Sequence, residues 1–324
     1  MPTLTERFVA DIEGLSDLPS LSPVLAHLIA TLDREDASVA EVAAIIRQDP
    51  VIAARVLRAA NSAAYIGRSS VSSIRDALLR LSLARIRRLA LVASLYDAVP
   101  VRGTQASRAI FWQHSLAVAH RSEIIARHAI GAPADLNPES VFLSGLLHDL
   151  GLLVLESHYP REASAVKRHA EAKGMPICLA EFEIFQTDHG ELGALLATHW
   201  MMPESITAAI RAHHRFDLAP VAYQWNAAVI HLADNLVSQE AIDDLEEGSP
   251  VRLDNAAVEV LGLSPAAALQ ITEETRSDAG ESAAVLFASP HSGSAKSSVS
   301  NESRATSSSM LGRSGAQTRS TPRL

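Results

Sequence analysis

Helix-start signals recur at short intervals along the amino-terminal third, and they constrain this chain more than any other feature. Ser38-Val-Ala-Glu41 is a capping box, in which each of the two polar side chains satisfies a backbone amide at the other's position. It opens a helix whose Val42, Ile45 and Ile46 fall on one face. Asp49-Pro50 restarts the chain: Asp49 can cap, and Pro50 at the first helical position gives up no hydrogen bond. That helix is expected to run to about Ala60, with Val51, Ala54 and Leu57 inward. Ser73-Ile-Arg-Asp76 opens another, and Ser82 caps one expected to continue to about Val99. Prolines 133, 138, 160, 176, 203 and 220 punctuate a second series. Its helices are expected at about 107–131, 138–159, 161–174, 176–186, 190–200, 203–213, 223–239, 253–261 and 265–276. Hydrophobic residues make up 48% of the chain but aromatics only 4%, so Ala, Leu, Val and Ile carry the apolar content. Ala and Leu are the strongest helix formers, and few runs alternate with period two. The chain is all-α.

The expected organisation is an amino-terminal helical subdomain over 1–103, a second over 104–285, and a tail over 286–324. The segment 289–324 holds twelve serines in 36 residues and almost no large apolar groups. Such a composition cannot offset the entropy of ordering itself, so the tail is expected to be disordered. The longest apolar stretch, 141–155, carries His148 and Asp149 and is shorter than the ~20 residues a bilayer span needs. No membrane span is expected. The start lacks the basic and apolar regions of a signal peptide, and the single cysteine, Cys178, fits a reducing compartment. The expected location is the cytoplasm.

The net charge of −9 argues against a nucleic-acid binder by bulk electrostatics. Yet Arg55, Arg58, Arg68, Arg75, Arg80, Arg85, Arg87 and Arg88 face a single acid, Asp76, between Pro50 and Tyr96. They are either solvated helix faces or, over 55–88, a docking surface for an acidic partner or a nucleic acid.

Eleven of the thirteen histidines lie between His114 and His231. Histidine is the commonest metal ligand, so a cluster spread over several helices points to a buried site. Its strongest local signal is Gly145-Leu-Leu-His148-Asp149-Leu-Gly151, a polar dyad inside an apolar helix. Burying an ionised Asp there costs several kcal/mol unless a cation or hydrogen-bond donors compensate. His114, His189, the adjacent His213-His214 and Asp234 are available to complete the site. Imidazoles with two carboxylates suit Fe, Mn, Zn or Ni better than Ca, and five His with two Asp suffice for one ion or two. A pair of such ions is the usual clamp for phosphoester hydrolysis. His120, His128, His158, His169, His199 and His231 are assigned to the surface or the core, with His231, one turn before Asp234, a candidate to support the ligands from behind. There is no HExxH, no Gly-rich phosphate loop and no GxSxG elbow. His189-Gly-Glu191 lacks the CxxC partner of zinc deaminases.

With these residues in view, the chain resembles the HDOD family. Leu18-Pro-Ser-Leu21, Ile45-Ile-Arg-Gln-Asp49-Pro50 and Val56-Leu-Arg-Ala-Ala-Asn61-Ser62 are similar to its amino-terminal bundle. Phe111-Trp112-Gln-His114-Ser115, the His148-Asp149 segment, His189-Gly-Glu-Leu-Gly193, Trp200-Met-Met-Pro203 and His213-His214 are similar to its HD-type domain. The resemblance covers roughly 15–275. It implies an all-α signalling output module of the kind found near bacterial two-component and cyclic di-GMP systems, with a signalling protein as partner. The related HD-GYP enzymes hydrolyse cyclic di-GMP at a multinuclear metal centre. This sequence keeps a similar ligand series in His114, His148, Asp149, His189, His213, His214 and Asp234. Leu152, however, stands where those enzymes carry a lysine, and no Gly-Tyr-Pro follows His214. Ser82 replaces a glycine usual in HDOD sequences. The expected function is therefore a non-catalytic regulator whose His/Asp cavity binds a metal or small ligand. The first alternative is a metal-dependent phosphohydrolase with Asp149 at its centre, and the second a nucleic-acid-binding regulator.

Overall fold

Helix caps form where the sequence places them, although the Ser38–Glu41 box closes on one side only: the Glu41 carboxylate pairs with Arg34 at 2.6 Å rather than with the Ser38 amide. In the computed structural model, Ser38 Oγ accepts from the Glu41 amide at 3.1 Å, Asp49 Oδ1 from Val51 and Ile52, Ser73 Oγ from Asp76, and Ser82 Oγ from Arg85. Each bond satisfies one of the amides that a helix start leaves without an intrahelical partner. The structure describes residues 3–14, 22–31, 34, 36–61, 71–98, 105–133, 136, 138–243, 254–264, 266–267 and 270–271.

Among these residues the elements are helical, with no strand. In chain order they are α1 (Leu4–Gly14), α2 (Pro23–Ala30), α3 (Val39–Ile46), α4 (Pro50–Ala60), α5 (Ile74–Arg80), α6 (Leu83–Ala98), α7 (Gln105–His128) and α8 (Pro138–Leu147). There follow α9 (Leu150–His158), α10 (Pro160–Lys173), α11 (Ile177–Phe185), α12 (His189–His199), α13 (Glu204–Ala212), α14 (Gln224–Asp243) and α15 (Asn255–Val260). Two short 3-10 turns, Phe216–Leu218 and Val221–Tyr223, join α13 to α14.

Helices α2 to α5 gather around α6, whose Ile86, Leu91 and Leu95 are fully enclosed. Their shared core runs on through Leu146, Leu155 and Ile210, so the amino-terminal helices and those around the pocket bury one continuous apolar cluster. A second cluster lies where α7, α14 and α15 meet, through Val118, Ile125, Leu232 and Leu261. Helix α1 packs onto α12. Its Phe8 stands edge-on to Tyr159 at 6.3 Å, and its Arg7 pairs with Glu162 at 3.0 Å.

Two expectations are corrected. The inner face of α4 is Ile52, Val56, Ala59 and Ala60, whereas Val51 is 53% exposed. Both stripes satisfy helical spacing, and Val51 at the capped end turns to solvent. The single helix expected over 138–159 is two, α8 and α9, separated by a turn at His148 and Asp149. Glu139–His158 has the length and apolarity of a bilayer-crossing segment, yet 83% of its most apolar window is buried within the fold, as in a core helix pair. The proposed boundary at 103/104, the serine-rich tail and most of the helix expected over 265–276 lie outside the described residues. Of that last helix, Ser264 Oγ does accept from the Ala267 amide at 3.1 Å.

Several of the 55–88 arginines are engaged inside the fold. Arg55 donates to the Ala93 carbonyl and Arg87 to that of Thr31. Arg88 joins α6 to α7 and α8 through ion pairs with Glu123 and, at 2.8 Å, Glu139. Arg58, Arg75 and Arg85 are exposed, and Arg68 lies outside the described residues.

Candidate metal centre

Five elements deliver the pocket. His114 comes from the middle of α7, His148 and Asp149 from the turn between α8 and α9, and His189 from the first position of α12. His213 and His214 leave the end of α13, and Asp234 comes from α14. Glycine lets these helices close. A β-carbon on Gly145 would lie 2.8 Å from the Ala119 Cα, and one on Gly151 would lie 1.8 Å from the His189 carbonyl oxygen. The turn at 148–149 matters as much. Consecutive helical side chains diverge by about 100°, whereas here His148 Nε2 stands 3.3 Å from Asp149 Oδ2.

All seven predicted residues meet. His114 Nε2 lies 3.3 Å from His148 Nε2, 3.6 Å from Asp149 Oδ2 and 3.2 Å from Asp234 Oδ1. On the other side of the same carboxylate, Asp149 Oδ1 lies 3.2 Å from His189 Nε2 and 3.7 Å from His213 Nε2. His214 Nε2 completes this side, 2.8 Å from His189 Nε2. Two groups result, His114–His148–Asp149 and His189–His213–His214, each with its donor atoms within 4.8 Å of one another. Asp149 faces both.

Partners behind the rings fix which nitrogen faces inward. His148 Nδ1 lies 2.8 Å from the Gly145 carbonyl and His213 Nδ1 2.7 Å from that of Ile210. A carbonyl only accepts, so each Nδ1 is the protonated, donating nitrogen and each Nε2 points into the pocket. His189 Nδ1 lies 2.7 Å from Glu181 Oε2, which also accepts from the His189 amide. His231 donates to the His213 carbonyl at 2.7 Å, and Asp254 stands behind it at 3.1 Å, so His231 supports a pocket residue as expected. Glu181 carried no sequence signal beyond being one of two acids, with Glu183, in an apolar stretch.

The electrostatics call for positive charge. Burial alone raises the pKa of Asp149, but His148 and His189 hold it well below the ordinary carboxylate range. Asp234 is likewise held well below by His114 and His148, against its burial. Burial pulls His148 down, yet Asp149 and Asp234 hold it well above a usual histidine. His189 is raised to about 10 by Asp149 and Glu181, again against burial. His213 falls to about 3 through burial and the nearby His148 and His189, and His214 is lowered by burial and His213. Three carboxylates, Asp149, Asp234 and Glu181, thus hold protons on two imidazoles while two others stay neutral, and a cation could replace those protons.

The donor set fits a divalent transition metal. His213 Nε2 is fully buried, inward-facing and without a hydrogen-bond partner, a state costly for a polar atom unless something occupies the pocket. Leu152, half-buried, stands in the first turn of α9. The two guanidiniums closest in sequence, Arg211 and Arg215, are paired with Glu191 and Asp217.

Fold and pocket together define an all-helical class of protein built around a buried histidine–aspartate cluster. Comparison with known proteins gives the family: the HDOD domain pattern matches residues 18–216, and the chain belongs to the HDOD family. A crystal structure of an HDOD domain protein from Geobacter sulfurreducens is 27% identical, with a TM-score of 0.67 over 86% of this chain and 95% of its own. A Shewanella amazonensis SB2B structure bearing a provisional phosphohydrolase name is also 27% identical, with a TM-score of 0.68 over 86% and 97%. An uncharacterised protein of Treponema pallidum (strain Nichols) is 27% identical over 225 residues, 68% of this chain, and the chain spans 42% of that protein's length.

Proposed function

We propose that this chain is a signalling output module whose His/Asp pocket holds divalent transition-metal ions and which acts by binding a protein partner rather than by turnover. One observation carries the metal reading: three imidazoles have Nδ1 tied to acceptors behind them, which aims Nε2 at a carboxylate shared by two donor groups. His114, His148, Asp149 and Asp234 would hold one ion, and His189, His213 and His214, with the second oxygen of Asp149, another. Iron, manganese, zinc and nickel match this donor set. Bound there, an ion would supply Lewis acidity and lower the pKa of a coordinated water.

The regulator reading rests on what surrounds the pocket. Leu152 offers no charge at the position where the related enzymes carry a lysine, and Arg211 and Arg215 are already paired. Elemental analysis of protein purified without chelators is the test. About one to two equivalents of a transition metal, lost on Asp149→Asn, are expected. Less than about 0.2 equivalents after anaerobic reconstitution would remove the physical basis of the metal reading.

The second reading, a metal-dependent phosphohydrolase, draws on the complete donor set and on the Shewanella protein's name. Steady turnover of a phosphodiester by the metal-loaded chain, abolished by Asp149→Asn, would establish it over the first. The exposed Arg58 and Arg75 would supply positive charge to an acidic partner. For a nucleic acid there, affinity would fall steeply with salt.

A further inference from the structure

His189 differs from the other anchored imidazoles of the pocket in one respect that follows from its place in the chain. His148 and His213 each reach back three residues to a carbonyl, Gly145 and Ile210, near the end of a helix. His189 is the first residue of α12, so the residue three before it, Gln186, lies outside that helix and supplies no such carbonyl. Its Nδ1 needs an acceptor from elsewhere in the fold, and a carboxylate from α11, Glu181, provides it at 2.7 Å.

Glu181 accepts from the His189 amide but is not the N-cap of α12. Asp188 is that N-cap, its Oδ1 accepting from the Glu191 amide at 3.1 Å. Nor is Glu181 comfortable where it sits. The residue is 1% exposed, and its Oε1 is buried without a hydrogen-bond partner. A carboxylate buried on those terms is costly unless its charge is used. The two bonds the structure gives its other oxygen both go to His189, to the backbone amide at 2.9 Å and to the ring.

We infer that Glu181 is a positioning residue for the metal pocket: it fixes the tautomer of His189, orients its Nε2, and raises the ring's strength as a donor. The effect is specific to one ligand, because the acceptors behind His148 and His213 are neutral carbonyls. It also opposes the positive end of the α12 dipole, which would otherwise withdraw electron density from a ligand at the first helical position. In consequence the chemistry of one ligand depends on the placement of α11, a helix that carries no pocket residue and whose Leu179 and Phe182 are more than half exposed. The inference rests on the metal reading above, and the experiment separates the two.

The full chain, stripped of metal, is titrated with Co(II) and followed by its visible absorption bands, in wild type, Glu181→Gln, Glu181→Ala and the control Glu183→Gln. Glu183 lies on the same helix but on its exposed side, paired with Lys173 and His169. Glu181→Ala is expected to weaken cobalt binding about 10- to 100-fold and to alter the bands. Glu181→Gln, whose amide oxygen can still accept, is expected to recover part of that loss, and Glu183→Gln to match wild type. In the zinc-loaded protein, nitrogen-15 correlation spectra of the imidazoles should show a protected His189 Nδ1 proton that the alanine variant loses. If Glu181→Ala does not fold, Glu181→Gln carries the test through a several-fold weaker affinity and shifted bands. Wild-type affinity and bands in every folded Glu181 variant would overturn this inference alone. Failure of the wild-type chain to take up cobalt would overturn the metal reading and this inference with it.

Discussion

The helices before residue 100 and those after residue 104 bury different things. Among the described residues, the earlier group buries three polar side chains, Thr31, Arg87 and Ser94, and the later group thirteen, including His148, Glu181, His189 and His213. In the earlier helices polar groups work mainly at helix ends, as at Ser38, Asp49, Ser73 and Ser82, while Val42, Ile46 and Val56 fill an apolar interior. In the later helices polar groups face one another inside. Burial of polar atoms costs free energy unless they are paired, so their accumulation on one side of a shared core marks where the molecule gives up stability for a site.

That contrast can be broken or sharpened by measurement. The largest expected effect is on stability. Ile46→Ala, which opens a cavity in the amino-terminal part of the core, should cost about 3–4 kcal/mol in chemical denaturation and leave metal content unchanged. Lost metal would show that the two regions are not separable. Gly151→Ala should cost about 3 kcal/mol and reduce metal content as well, because its new methyl meets the His189 carbonyl. Retention of full metal with only a stability loss would break the assignment of that contact to the site. Asp149→Asn should weaken metal binding by about 100-fold, about 2.7 kcal/mol, as measured by chelator competition.

A proton-linked effect comes next. Near neutral pH the metal-free pocket keeps His189 protonated, since its pKa is raised to about 10, and a divalent ion must displace that proton. Affinity should therefore rise with pH, up to about tenfold per unit for each proton released, and calorimetry in buffers of different ionisation heat should count them. A pH-independent affinity would contradict the charge balance described for the pocket. The smallest effect belongs to the caps: Asp49→Ala should cost about 1 kcal/mol without touching metal content.

How much the sequence disclosed follows the same division. The caps were legible because a Ser or Asp just before a helical pattern acts on amides two or three residues away, and the neighbours in the text are the neighbours in space. The seven pocket residues were legible as a chemical type, since His and Asp inside apolar helices need a reason to be there. What stayed hidden depends on contacts between distant segments. Nothing in Leu147-His-Asp-Leu150 announces a helix break, because no Gly or Pro stands there; the turn serves the meeting of the dyad with α7, α12, α13 and α14. Glu181 was silent for the same reason, its partner being fixed only once α11 packs against the start of α12. The two faces of α4 were indistinguishable by spacing, and only packing chose Ile52 and Val56 over Val51.

One consequence of the glycine contact extends beyond stability. Where α9 meets α12, a β-carbon on Gly151 would lie 2.9 Å from Gly193 N and one on Gly193 would lie 3.0 Å from Gly151 N, so main chain rests on main chain. Main-chain atoms have no rotamers with which to give way, so the distance between α9 and α12, and with it the placing of His189 beside Asp149, is set by backbone alone. Side chains next to that contact in the chain, such as Leu152 in the first turn of α9, can be exchanged without changing that distance.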